Sequence, residues 1–179
     1  MKALILAAGM GTRLGRYTEN LPKGMLSFNG RPLIEWQLMQ LRSAGIEDIS
    51  IVTGYKSETI AYPGVRYFHN PDYATTNMVE SMLCAREILS SDLLVTYSDI
   101  LFTRALASQV RDFTGGIGVA VDSAWREYWM LRYGTTENDL ESLTVKNGAI
   151  TELGRPAASS AGIDVLRSEE HTSELQSQR

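Results

Sequence analysis

Lys2-Ala-Leu-Ile-Leu-Ala-Ala-Gly-Met-Gly-Thr-Arg-Leu14 is the stretch that decides the fold. From Lys2 to Ala8 every residue after the opening lysine is apolar without alternation, and the run ends on Gly9. A strand half-covered by solvent would alternate, so this pattern suits a strand buried on both faces of a parallel sheet. Residues 9–31 then hold several glycines with Asn20, Pro22 and Asn29. This is a long loop, and loops of that length in a compact domain usually carry function. A glycine-rich loop that follows a buried strand can turn its backbone N–H groups toward phosphates.

Working outward, the pattern becomes helical at Pro32, which suits a first helical position. Leu33, Trp36 or Gln37, Met39 or Gln40, and Leu41 follow at helical spacing, and Gly45 can supply a left-handed stop. Ile49 to Val52 reads as a second buried strand. Gly54-Tyr55-Lys56 turns the chain, Ser57 can cap a short helix, and Val65 to Phe68 reads as a third strand. After a loop from Asn70 to Thr76, Asn77 with Glu80 forms a capping-box-like start to a helix through Met82, Ala85 and Leu89. Leu93 to Tyr97 is a fourth strand that delivers Ser98-Asp99 at its C-terminal end. Ile117 to Val121 is expected as a further strand, and Leu143 to Leu153 as a hairpin around Asn147-Gly148. Repeated strand, crossover and strand predict an α/β fold with a doubly wound, mostly parallel sheet.

Composition narrows the function classes. With 179 residues and 44% apolar content, the chain can bury the core of one domain. The net charge is −4, and no basic stripe is present to neutralise a nucleic-acid backbone, so nucleic acid is not the expected partner. The lone cysteine, Cys84, excludes an internal disulfide, and no apolar run approaches the roughly twenty residues that cross a bilayer. No charged-then-apolar leader precedes the first strand, which makes a cytoplasmic location the expectation. A homo-oligomer stays open.

Two familiar phosphate loops do not fit. The dinucleotide fingerprint needs glycine where Leu14 stands, with a helix opening at once, and Thr18, Asn20 and Pro22 oppose that helix. The P-loop needs a lysine and a hydroxyl residue directly after its last glycine, and Lys23-Gly24 does not supply them. What does fit is Leu6-Ala-Ala-Gly-Met-Gly-Thr-Arg-Leu14, then Thr18-Glu-Asn-Leu-Pro-Lys23, then Gly30-Arg-Pro-Leu-Ile34. Together they resemble the nucleotidyltransferases that make sugar nucleotides and CDP-alcohols, and the likeness extends over most of residues 1–166. One departure is Gly15-Arg16-Tyr17, where many relatives carry an arginine-proline pair.

The resemblance implies a Rossmann-like nucleotidyltransferase fold, Mg²⁺ as cofactor, and two small partners, a nucleoside triphosphate and a phosphorylated acceptor. It implies that Ala8, Gly9, Gly11, Thr12 and Arg13 bind the nucleotide, with Gly9, Gly11 and Arg13 on its phosphates, and that Lys23 serves both catalysis and the acceptor. With Arg13 and Lys23, Asp99 completes the implied catalytic set. Tyr97-Ser-Asp-Ile-Leu-Phe102 is similar to the family's metal-binding segment, which makes Asp99 the metal ligand. Physically, an aspartate ending a buried strand lies at the sheet edge where α/β proteins bind ligands, although such residues also cap turns. Asn77 falls where relatives contact the base, with Ser81 one turn on, and Asn77 reads equally as a helix cap.

For the acceptor, Trp125-Arg-Glu-Tyr-Trp-Met-Leu-Arg-Tyr133 resembles a stretch of bacterial choline-phosphate cytidylyltransferases. Trp129 falls on their choline-contacting tryptophan, with Tyr133 beside it. Aromatic faces attract a quaternary ammonium, and aromatics near helical spacing also fill cores. Gly148 to Pro156 is similar to a segment near the acceptor that ends in lysine-proline, but here Arg155 stands in place of the lysine. The expected reaction is transfer of CMP from CTP to phosphocholine or a similar phosphorylated alcohol. The alternatives are transfer to a sugar 1-phosphate and a non-catalytic nucleotide-binding regulatory domain. His69 and Cys84 read as structural.

Residues 167–177, Arg-Ser-Glu-Glu-His-Thr-Ser-Glu-Leu-Gln-Ser, resemble the in-frame translation of a sequencing adapter. The apolar alternation also ends at Leu166. Residues 1–166 are therefore expected to be a C-terminally truncated nucleotidyltransferase domain lacking the family's second metal-binding aspartate, and 167–179 a non-native tail.

Overall fold

The computed structural model describes residues 1–137, 141–156, 163 and 166–167. Two compact units are present, Met1–Gly115 and one within Gly116–Glu174.

The first unit is built on β1 (Lys2–Ala7), which lies in the middle of a parallel four-stranded sheet. Two short strands follow, β2 (Ser27–Phe28) and β3 (Arg31–Pro32), and then β4 (Ile49–Thr53), β5 (Val65–His69) and β6 (Leu93–Tyr97). The sheet order is β5-β4-β1-β6, with Leu4 opposite Ser50 on one side and Val95 on the other. Successive side chains point to opposite faces, and both faces are covered. Ala3, Ile5 and Ala7 pack with Ile34, Leu38 and Leu41 of α1 (Leu33–Ser43), together with Ile49 and Ile51. Leu4, Leu6 and Ala8 pack on the other face with Val52, Ala85 and Ile88. This two-sided burial is the physical reason for the unbroken apolar run. Each fully buried leucine or isoleucine is worth about 1.5–3 kcal/mol relative to exposure.

Several local expectations need correction. Helix α1 begins after Pro32, which serves as the N-cap residue, and it buries Ile34, Gln37, Leu38 and Leu41, while Met39 is exposed. Gly45, at φ +80°, is left-handed just past the helix end, as the stop requires. The 9–31 segment is not featureless: it holds 3-10 turns at Thr12–Thr18 and Lys23–Met25, and the β2–β3 hairpin. Asn29 and Gly30 both have positive φ, the backbone a tight two-residue hairpin turn demands. Ser57 opens a 3-10 turn without a side-chain cap bond. The second helix, α2 (Met78–Cys84), stops short of Leu89, and Arg86–Ile88 continues as a 3-10 turn. Helix α3 (Arg104–Arg111) starts at a Thr103 cap and packs beside α1.

In the second unit the expected strand at Ile117 to Val121 shrinks to β7 (Val121–Asp122). Ile117 is 93% exposed, and glycines at 115, 116 and 118 offer neither stiffness nor burial to an extended run. Helix α4 (Trp125–Tyr133) follows. β8 (Glu141–Lys146) and β9 (Ala149–Pro156) form the expected hairpin, with Asn147 and Gly148 at positive φ. β10 (Leu166–Arg167) pairs antiparallel with β7, so backbone pairing continues one residue past Leu166. No helix among the described residues is long and apolar enough to cross a membrane.

Candidate functional site

The parallel strands of the first unit end together, and a pocket of about 270 Å³ opens at their C-terminal edge. Its lining comes from β1 and the glycine loop (Ala8, Gly9, Gly11), from Lys23, from the 70–76 loop and α2 (Thr76, Asn77, Ser81), and from the end of β6 (Ser98, Asp99). This edge is where open α/β sheets collect ligands, because the loops that leave the strands diverge there.

The glycine loop is shaped by its own hydrogen bonds. Gly11 adopts φ +63° and the Leu14 N–H donates to its carbonyl. Buried Thr18 donates its hydroxyl to the same carbonyl at 2.9 Å, folding the loop back on itself. Gly9 has nothing within 4 Å of where a Cβ would stand, so its backbone faces open space at the pocket. Thr12 and Arg13 lie on the exposed 3-10 turn and do not line the pocket.

Lys23 and Asp99 meet as an ion pair, Nζ to Oδ2, with both side chains mostly buried. Their meeting depends on Gly24. A Cβ there would lie 2.7 Å from both Ile34 Cδ1 and Ser98 Cβ, so only glycine lets the lysine turn pack against the strand end that carries Asp99. Gln37 fixes that strand end from the other side. Its buried amide donates to the carbonyls of Tyr97 (2.8 Å) and Ile100, bracketing Ser98-Asp99. Sequence reasoning missed both residues. Glycine directly after Pro22-Lys23 was a usable signal for the first, whereas the second depends on a partner sixty residues away.

Asn77 caps α2 through Oδ1, which accepts from the N–H groups of Val79 (2.9 Å) and Glu80 (3.2 Å). It also lines the pocket. Tyr73, Met78 and Tyr97 add apolar surface to the pocket, and the Tyr97 hydroxyl donates to the Met78 sulfur. None of these three stood out in the sequence.

Of the residues expected at the acceptor, Lys23 is in the first unit, and Trp129, Tyr133 and Arg155 belong to the second. Trp129 is 1% exposed and sits among Trp125, Tyr128 and Tyr133, with ring centroids at 5.7–5.9 Å. Together with Ile163 these rings form a packed cluster, so among the described residues Trp129 has a core position. Arg155 is in β9, and its side chain lies outside the described residues.

As for a metal, Asp99 offers one hard carboxylate in the pocket, and no group of three or more His, Cys, Asp or Glu residues comes together among the described residues. That donor set does not make a protein cage. It does fit Mg²⁺, which commonly binds through one or two carboxylates completed by phosphate oxygens and water.

The chain resembles known proteins in sequence and fold. The family model described as the MobA-like NTP transferase domain matches residues 3–155. The CTP:phosphoglutamine cytidylyltransferase of Campylobacter jejuni is 32% identical over 168 residues, 88% of this chain and 66% of that protein. The choline-phosphate cytidylyltransferase of Streptococcus pneumoniae is 37% identical over 142 residues, 75% of this chain and 59% of that protein. The chain thus spans slightly less than two thirds of the length of these curated relatives. Among solved structures, the CTP:phosphocholine cytidylyltransferase from Streptococcus pneumoniae matches with a TM-score of 0.64 at 27% identity, covering 95% of this chain and 72% of that one.

Proposed function

The chain belongs to the MobA-like NTP transferase family, and on that premise we propose that it transfers CMP from CTP to phosphocholine or a similar small phosphorylated alcohol. The observation that carries this reading is the meeting of Lys23 and Asp99 beside the glycine loop in one pocket. A cation for phosphate and a carboxylate for a metal are the two charges that phosphoryl chemistry requires, and here they hold each other until substrate arrives.

In the reaction, a phosphate oxygen of the acceptor attacks the α-phosphorus of CTP. The bond from that phosphorus to the bridging oxygen of the β-phosphate breaks, and pyrophosphate leaves. Both reactants are anions, so charge neutralisation and in-line positioning supply the catalysis, and no protein nucleophile takes part. Lys23 exchanges its carboxylate partner for a non-bridging phosphate oxygen. The backbone at Gly9 and Gly11 receives the triphosphate, with Arg13 reaching it from the adjoining turn. Asp99, released from Lys23, would hold Mg²⁺, which would screen the repulsion between the two phosphates.

The relatives support a cytidine nucleotide and a small phosphorylated acceptor, since one is a CTP:phosphoglutamine cytidylyltransferase and another a choline-phosphate cytidylyltransferase. For the acceptor, Tyr133 and Arg155 remain the candidates in the second unit. Trp129, being enclosed, would act by holding the neighbouring rings. Pyrophosphate release across a matrix of four triphosphates and a set of phosphorylated alcohols, amines and sugars tests the proposal. Release with CTP and phosphocholine or a close analogue supports it, and turnover only with a sugar 1-phosphate replaces the acceptor. Tight nucleotide binding without turnover on any acceptor would favour a regulatory domain.

A further inference from the structure

The glycine loop leaves the sheet at Ala8, its 3-10 turn closes at Glu19, and one residue beyond β4 reaches both places. The backbone N–H of Tyr55 donates to the Ala8 carbonyl at 3.0 Å, just past the last paired residues of β1 and β4. Its hydroxyl donates to the Glu19 carbonyl at 2.6 Å, across 36 residues of sequence. Thr18, which adjoins Glu19, holds the Gly11 carbonyl at 2.9 Å. A line of ties therefore runs from the sheet through Tyr55, Glu19 and Thr18 to Gly11, a residue that lines the pocket.

The residues on either side of Tyr55 are fitted to this reach. A Cβ on Gly54 would stand 2.6 Å from Tyr73 Cβ and 2.7 Å from the Ala8 carbonyl oxygen, so no side chain fits there. Lys56 has φ +50°, a left-handed conformation that a residue with a Cβ adopts at a cost. Between them the Tyr55 ring meets Tyr73 edge-on, with centroids 6.2 Å apart, and Lys56 Nζ stands 5.9 Å from its centre. A tyrosine that only covered surface would require neither the compulsory glycine nor the strained lysine.

We propose that Tyr55 is a positioning residue whose hydroxyl fastens the far end of the glycine loop to the sheet, keeping the loop set for the nucleotide phosphates before they arrive. This rests on the nucleotidyl-transfer reading and adds a residue to its site. Tyr55 acts through the loop and touches no reacting atom. A loop held at one end samples conformations in which Gly9 and Gly11 no longer face the pocket, and apparent affinity falls with the fraction of molecules that are competent to bind. A tie made in advance removes that loss, because the ordering is done at folding and not at binding.

The test compares the wild type with Tyr55→Phe, which removes the hydroxyl and keeps the ring, so the variant is expected to fold. Trypsin can cut after Arg13 and Arg16, both exposed within the loop, and after Arg86 and Arg104, both exposed elsewhere. Without nucleotide, Tyr55→Phe should speed cleavage at Arg13 and Arg16 about three- to tenfold, the worth of one hydrogen bond, and leave Arg86 and Arg104 at the wild-type rate. Its CTP affinity, read by calorimetry, should weaken by a similar factor. Equal acceleration at all four sites marks a merely structural role and overturns the proposal. So does unchanged cleavage in the loop, or faster cleavage there at wild-type CTP affinity. In each of these cases CTP binding by the wild type leaves nucleotidyl transfer standing, whereas a wild type that binds no triphosphate overturns both readings together.

Discussion

Replacing Gly24 with alanine adds a single methyl group, at the point where Lys23 and Asp99 are brought together. The new Cβ would stand 2.7 Å from Ile34 Cδ1, 2.7 Å from Ser98 Cβ and 2.8 Å from Ile34 Cγ1. Ordinary carbon contacts lie near 3.5–4.0 Å, so the neighbours must retreat by about 1 Å. Neither is free to do so, since both Ile34 and Ser98 are buried. Overpacking of this kind costs about 1–3 kcal/mol, and a chain of this size loses roughly 2–4 °C of melting temperature per kcal/mol. A fall of roughly 2–12 °C is therefore expected in a thermal melt followed by far-UV circular dichroism. The functional effect should be larger. Gly24 adjoins Lys23 and Ser98 adjoins Asp99, so the same retreat separates the pair, and a misplacement of about 1 Å can cost on the order of a hundredfold in rate. Pyrophosphate release below the melting range reads this separately. A Gly24→Ala protein with wild-type melting and wild-type turnover would refute the packing argument.

Gly9→Ala makes the opposite prediction, because its Cβ would meet nothing within 4 Å: the melt should stay at the wild-type value while CTP affinity, read by calorimetry, falls as the methyl obstructs phosphate approach. Asn77→Ala removes the cap that accepts from Val79 and Glu80, so stability should drop by about 1 kcal/mol in urea unfolding. Asn77→Asp keeps the cap, so a loss of CTP affinity at wild-type stability would identify a base contact, and unchanged affinity would leave Asn77 as a cap alone. In the second unit, Trp129→Phe should lower stability by roughly 1–3 kcal/mol because the indole is enclosed by three rings, and an unchanged melt would contradict the packed cluster.

The parallel sheet was legible because its evidence is local. An apolar run without alternation, seen in β1 and again in β4, has one good explanation in a soluble fold, and both faces of β1 are indeed covered. Asn147-Gly148 announced its hairpin by backbone chemistry alone. Asn29-Gly30 carried the same signal, but the surrounding glycines and Pro22 made the whole stretch read as loop. The buried stripe of α1 was displaced by a residue because periodicity assigns buried positions to apolar residues. Gln37 is buried to reach carbonyls on the far side of the sheet edge, while Trp36 turns outward and donates its Nε1 hydrogen to Phe28 O at 2.8 Å. The strand expected at Ile117 failed for the reverse reason: β-branched residues lend propensity, but a strand needs a partner and a face to bury. Within the site, motif residues such as Gly9, Lys23 and Asp99 could be named from the sequence. Gly24 left a trace in the glycine that follows Pro22-Lys23, whereas Gln37, which fixes the strand end carrying Asp99, left none, because its role exists only once distant segments meet.

The central claim is that the Lys23–Asp99 pocket performs metal-assisted transfer of a nucleoside monophosphate. Its most direct measurement is phosphorus NMR of the protein incubated with CTP, phosphocholine and Mg²⁺, compared with Asp99→Asn and Lys23→Met. The account predicts equal growth of CDP-choline and pyrophosphate signals for the wild type, abolished by chelation of Mg²⁺ and reduced on the order of a hundredfold or more in both variants. Formation of CDP-choline at an undiminished rate by the Asp99→Asn and Lys23→Met proteins would contradict it.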